Sequence, residues 1–222
     1  MGTWQKETGS RVKPGMTGRE RNATVRAVPP PPSIASLVAV DLACRRGGRL
    51  LFEGLNFCVD PGGALTLEGP NGSGKSSLLR LLTALLTPAA GRIEGGGARG
   101  FLGHDTALKP RQRLGDELAF WARIDGGIER LPAAMAAVNV AGLVDVPCRH
   151  LSSGQRRRAG LARVIAGGAP LWLLDEPTAG LDTASCDLLA RAMAAHRAGG
   201  GMIVAAVHGD IGLGDHQTLR LG

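Results

Sequence analysis

Apolar runs long enough to cross a membrane are missing from this chain of 222 residues. A spanning helix takes about 20 consecutive apolar residues, and the longest stretch here, residues 78–86, is broken by Arg80 and Thr83. The basic start runs into Pro29-Pro30-Pro31-Pro32 and not into an apolar segment, so no secretory signal is expected. Only four cysteines occur, Cys44, Cys58, Cys148 and Cys186, and no two form a C-x-x-C pair. Metal and dithiol spacing is therefore absent, which reads as reduced, buried thiols in a cytosolic protein. Tyrosine is absent too. Work at a membrane has to go through a partner.

An excess of basic charge in the folded part is also missing. The formal net charge is +7, but residues 1–34 hold six basic side chains against two acidic ones, which leaves +3 for the rest. That balance is an ordinary surface, and no nucleic-acid partner is expected. The first 34 residues are rich in Gly, Thr, Arg and Lys and have no apolar period, so they are expected to be a disordered arm, or to precede a true start further in. A single folded domain is expected over 35–222, a length sufficient for one sizeable core.

Within that domain the pattern is α/β. Residues 37–40 and 50–57 read as short strands of a β layer, and 64–68 as a buried strand running into a glycine loop. Residues 76–87, 118–124 and 133–144 have helical character, 100–103 looks like a further strand, and 171–174 and 202–207 are apolar β runs ending at polar residues. Strands alternating with helices predict a mostly parallel sheet covered on both faces, with ligands beyond the carboxyl ends of its strands.

The chemistry-bearing motifs fall at those ends. Gly69-Pro70-Asn71-Gly72-Ser73-Gly74-Lys75-Ser76 fits G-x-x-x-x-G-K-[ST] between a strand and a helix. Such a loop turns its N–H groups inward around the β- and γ-phosphates of ATP, and the following helix points its positive end at them. Lys75 bridges the phosphates, the Ser76 hydroxyl ligates Mg²⁺, and the nucleotide-contacting run extends to Ser77. The strand at 171–174 ends in Asp175 and Glu176. Asp175 is the expected second metal ligand, and Glu176, one residue on, is placed to polarise the attacking water as general base.

Leu151-Ser152-Ser153-Gly154-Gln155, followed by Arg156-Arg157-Arg158, resembles the signature L-S-G-G-Q of the ATP-binding cassette (ABC) family, with Ser153 in place of the first glycine. The resemblance implies a P-loop cassette: a mostly parallel sheet core, an antiparallel β layer and a small helical subdomain. It also implies an ATP-dependent homodimer, in which Ser152, Ser153, Gly154 and Gln155 face the nucleotide held by the partner subunit. Asp182, in Ala179-Gly180-Leu181-Asp182, matches the loop that crosses the dimer interface, and His208 matches the switch histidine that contacts the γ-phosphate.

A narrower resemblance lies in residues 101–110, F-L-G-H-D-T-A-L-K-P, and in the run Leu118-Ala119-Phe120-Trp121-Ala122-Arg123. Both are similar to the CcmA family, the ATPase subunit of the haem exporter of cytochrome c maturation. That likeness implies a peripheral protein on the cytoplasmic face of the bacterial inner membrane, working with integral membrane permease subunits of the haem exporter B and C type. The alternative is a soluble, non-transport cassette such as the Fe–S cluster assembly type. Three departures stand out. His104 fills the slot of the magnesium-sensing glutamine, Asp116-Glu117 replaces a Glu-Asn pair, and Arg45 or Arg46 stands about where an aromatic residue stacks on adenine.

Overall fold

Three strands of nearly continuous apolar sequence form the centre of the protein: β3 (Ala64–Glu68), β6 (Leu171–Asp175) and β7 (Met202–Ala206). Near-unbroken apolar runs are what a strand covered on both faces requires. The computed structural model describes residues 35–222; the arm expected at 1–34 lies outside the described residues. Together with β5 (Arg99–Leu102) and β8 (Gln217–Arg220), the three strands make a five-stranded parallel sheet in the order β5-β6-β7-β3-β8.

Side-chain alternation divides this sheet between two cores. Leu65, Leu67, Leu171, Leu173, Met202 and Val204 point to the face covered by the leucines of helix α1 (Lys75–Leu82). Ala64, Trp172, Leu174, Ile203 and Ala205 point to the other face. There they meet helices α2 (Leu114–Ile124), α3 (Leu131–Ala137), α4 (Ser153–Gly167) and α5 (Thr183–Ala198). A second, antiparallel sheet has the order β2-β1-β4 and is built from β1 (Leu37–Arg46), β2 (Arg49–Val59) and β4 (Ala90–Glu94). The α/β class, with a mostly parallel core, an antiparallel layer and a helical subdomain, is as expected.

The differences from expectation are local. Helix α1 stops at Leu82 and not near 87, because Ala84 takes a left-handed backbone with φ 59°. Helix α3 ends at Ala137 for a similar reason: Asn139 has φ 51°, and only a short 3₁₀ turn (Ala141–Leu143) follows. Two of the four edge strands, β4 and β8, are not announced by the hydrophobic pattern.

Candidate functional site

Strand register brings the motifs into one line. Asp175 pairs with Ala206 and Leu67 pairs with the same residue from the other side. One or two residues further along each strand come Glu176, His208 and Gly69, so all three emerge at the carboxyl edge of the parallel sheet.

The glycine loop is shaped by close approach. Gly69 has φ 140°, and any Cβ there would collide with the Leu221 carbonyl. Lys75, only 7% exposed, folds back so that Nζ donates to the carbonyls of Gly69 at 2.6 Å and Pro70 at 3.2 Å. A buried ammonium needs such acceptors. Helix α1 starts at Lys75 with no side-chain cap and no acidic residue in its first turn, so its free N–H groups and positive end face the loop. The Phe52 ring on β2 lies against Gly74, within 3.1 Å of where a Cβ would stand. Arg45 and Arg46, which stand about where an aromatic would stack on adenine, are both exposed at the end of β1, and the aromatic beside the loop comes from the neighbouring strand.

Across the edge, Ser76 Oγ donates to Asp175 Oδ1 at 3.1 Å, joining residues 99 positions apart. Asp175 is 4% exposed. A hydroxyl and a carboxylate oxygen this close, both hard donors, fit a magnesium ion. Beside them Glu176 Oε1 lies 3.2 Å from His208 Nε2. The Glu176 backbone has φ 50°, a conformation costing about 1–3 kcal/mol that persists only where neighbours fix it. Its N–H donates to the Ala206 carbonyl and its own carbonyl accepts from Ala179 N, each at 3.0 Å. Both catalytic candidates remain open to solvent, the Glu176 side chain 35% and that of His208 50% exposed.

The signature residues form a separate piece. Ser152 caps α4 in a reciprocal box: Gln155 N donates to Ser152 Oγ at 3.1 Å, and Ser152 N donates to Gln155 Oε1 at 2.9 Å. Gly154 is pressed against the loop at Gly180, whose carbonyl oxygen would stand 2.7 Å from a Cβ. Ser153 lines the same junction. No hydrogen bond among the described residues joins 152–155 to the glycine loop at 69–77. Asp182 is occupied locally as the N-cap of α5, accepting from Ser185 N at 2.8 Å. The Ser185 side chain and this backbone N–H together hold its carboxyl below the usual range. His104 is exposed, and among the described residues only its carbonyl is bonded, by Arg157. Arg157 itself was not singled out from the sequence, yet it is 4% exposed and reaches the backbone of Asp175 and Glu176.

Comparison with known proteins supplies the family. The family model described as ABC transporter matches residues 52–179. A "Cytochrome c biogenesis ATP-binding export protein CcmA" of Rhodospirillum rubrum is 50% identical over 204 residues, covering 86% of this chain and 88% of that protein. A protein of the same description from Paramagnetospirillum magneticum is 46% identical over 206 residues, covering 85% and 95%. Among solved structures, an "ATP binding subunit of ABC transporter" superposes with a TM-score of 0.71 at 23% identity, over 78% of this chain and 79% of that one, a likeness of fold. The chain belongs to the ABC transporter family of ATP-binding subunits and, within it, to the CcmA group of cytochrome c biogenesis ATP-binding export proteins.

Proposed function

We propose that this chain is the ATP-hydrolysing subunit of the haem exporter of cytochrome c maturation. The observation that carries the chemistry is the meeting of Ser76, Asp175, Glu176 and His208 at one sheet edge, beside the Lys75 loop. The loop N–H groups and Lys75 bind the β- and γ-phosphates, Lys75 exchanging its two carbonyl acceptors for phosphate oxygens. Ser76 and Asp175 would hold Mg²⁺, which when bound neutralises charge on the phosphates. Glu176 accepts the proton of the attacking water. His208, at hydrogen-bond distance from that carboxylate, orients it and faces the γ-phosphate.

The exposed Glu176 and His208 favour a dimer, because hydrolysis of this kind proceeds with bulk water excluded. Ser152 and the Gly154 N–H have no phosphate of their own to meet, so we assign them to the nucleotide of a second copy. The mechanical output goes to membrane subunits of the haem exporter B and C type at the cytoplasmic face of the inner membrane. No helix among the described residues is long and apolar enough to cross a membrane. A cleft of about 590 Å³ between β5 and the helical subdomain suits such a partner; Trp121, Phe101, Ala107 and the 69% exposed Leu85 line it. The export names of the relatives leave the Fe–S assembly alternative unfavoured. A host carrying only Glu176→Gln should accumulate c-type apocytochromes without haem while other haem proteins form normally. Normal haem staining of c-type cytochromes on denaturing gels contradicts the cargo assignment and leaves the ATPase assignment intact.

A further inference from the structure

We propose that Arg157 is a positioning residue that ties the signature helix to the backbone carrying Glu176, so that a load on Ser152 reaches the hydrolytic carboxylate within one chain. This rests on the role proposed above for Glu176.

The three consecutive arginines divide their work. Arg156 donates to the Leu151 carbonyl at 2.7 Å, and Arg158 to those of Val138 and Asn139 at 3.1 and 2.6 Å. These two hold the helical subdomain together. Arg157 instead shares the inward face of α4 with Leu161 and Val164, and is 4% exposed. Its Nη1 donates to the Gly103 carbonyl at 2.7 Å and reaches that of His104 at 3.5 Å. Its Nη2 donates to the carbonyls of Asp175 and Glu176. One side chain therefore joins the start of α4, the exit of β5 and the exit of β6.

No carboxylate among the described residues forms an ion pair with it. Burial pushes its pKa down, while the charges of Asp175 and Glu176 oppose that shift. A buried cation without an ion-pair partner is expensive, and an apolar side chain would fill the same space at less cost. What the guanidinium supplies is a rigid, planar fork of donors that can grip several carbonyls at once. Glu176 needs such a grip, because its left-handed backbone is held only from outside. Ser152, the cap of α4, is five residues from Arg157 along a rigid helix. When a phosphate of the partner's nucleotide pulls on Ser152, the same fork transmits the displacement to the Glu176 carbonyl.

The test uses the full chain with Arg157→Gln and Arg157→Lys, measuring Mg-ATP affinity, KM, and kcat per nucleotide-binding site. In R157Q we expect kcat to fall about 10²-fold, the scale of a misplacement near 1 Å, with affinity within about threefold of wild type. R157K should recover part of kcat by keeping the charge and one donor arm. Adding R157Q to E176Q should leave residual turnover unchanged, because Arg157 acts through Glu176. A merely structural role lowers Tm and the active fraction but not kcat per site. Wild-type kcat per site in R157Q, or losses that multiply in the double variant, overturns the proposal. Should R157Q yield no folded protein, R157K decides: a fall of about tenfold in kcat at unchanged KM supports the link, and wild-type kcat rejects it. Failure of the underlying role for Glu176 would show separately, as wild-type hydrolysis by E176Q alone.

Discussion

Two glycine-containing turns in this protein each open a helix, and they end in opposite ways. At the start of α1 the helix N-terminus is left without a side-chain cap, and the nearest cation, Lys75, is parked on backbone carbonyls. At the start of α4 the N-terminus is closed by Ser152 and Gln155 in a reciprocal box. Omitting a cap forgoes about 1 kcal/mol of stability, which is recovered where an anion takes the cap's place. The first turn is thus built to receive a phosphate from its own side. The second is locally complete, which is why we assign its hydroxyl and N–H to the nucleotide of a second copy. On that proposed reading, a single copy holds two unlike half-sites.

The largest expected effect on binding breaks the first half-site. Lys75→Ala should weaken Mg-ATP binding by about 10²-fold or more, measured by calorimetric titration, because a charge-assisted hydrogen-bond donor to phosphate is lost. Next comes Glu176→Gln, which should retain ATP while kcat falls by about 10²–10⁴-fold, the range of a lost general base. Equal losses of affinity in the two variants would erase the distinction between binding and chemistry. Ser152→Ala should behave differently from both. Nucleotide affinity of the isolated chain stays near wild type, ATP-driven association is lost, and removal of the cap costs about 1 kcal/mol of stability, readable as a lower Tm.

The smallest effect lies away from both turns. His196 stacks on Trp172 with ring centroids 3.9 Å apart, and burial holds its pKa below the ordinary 6.5. The unfolded chain then binds a proton at higher pH than the folded one. Stability contributed by the neutral ring is present above about pH 6.5 and is lost as pH falls below it. Urea midpoints of wild type should therefore drop more steeply between pH 7.5 and about 5.5 than those of His196→Gln. Parallel curves would remove His196 from that account.

Much of this comparison was legible in the residues alone, and the reasons differ by element. The glycine loop and the Asp175-Glu176 strand end are fixed by local chemistry, so spacing and residue type reveal them. Strands β3, β6 and β7 are nearly continuous apolar runs, the pattern that burial on both faces demands. Strands β4 and β8 are exposed at sheet edges and carry little apolar signal, so only pairing identifies them. Helix α5 carries little sequence signal because its small residues give a weak apolar stripe, although the Asp182 cap marks its start. Arg157 looked like one member of a basic run. Its spacing to Leu161 and Val164, four and seven residues on, is the helical period that marks an inward face. Phe52 was invisible for a different reason: strand pairing, not proximity in sequence, carries its ring to Gly74.

The central claim is that the two half-sites complete each other only across two copies. Sedimentation of Glu176→Gln with saturating Mg-ATP tests it most directly, since hydrolysis no longer dissolves the assembly. The account predicts a dimer holding two nucleotides, reverting to monomer when Ser152→Ala is added. A Glu176→Gln chain that binds ATP stoichiometrically and still sediments as a monomer would contradict it.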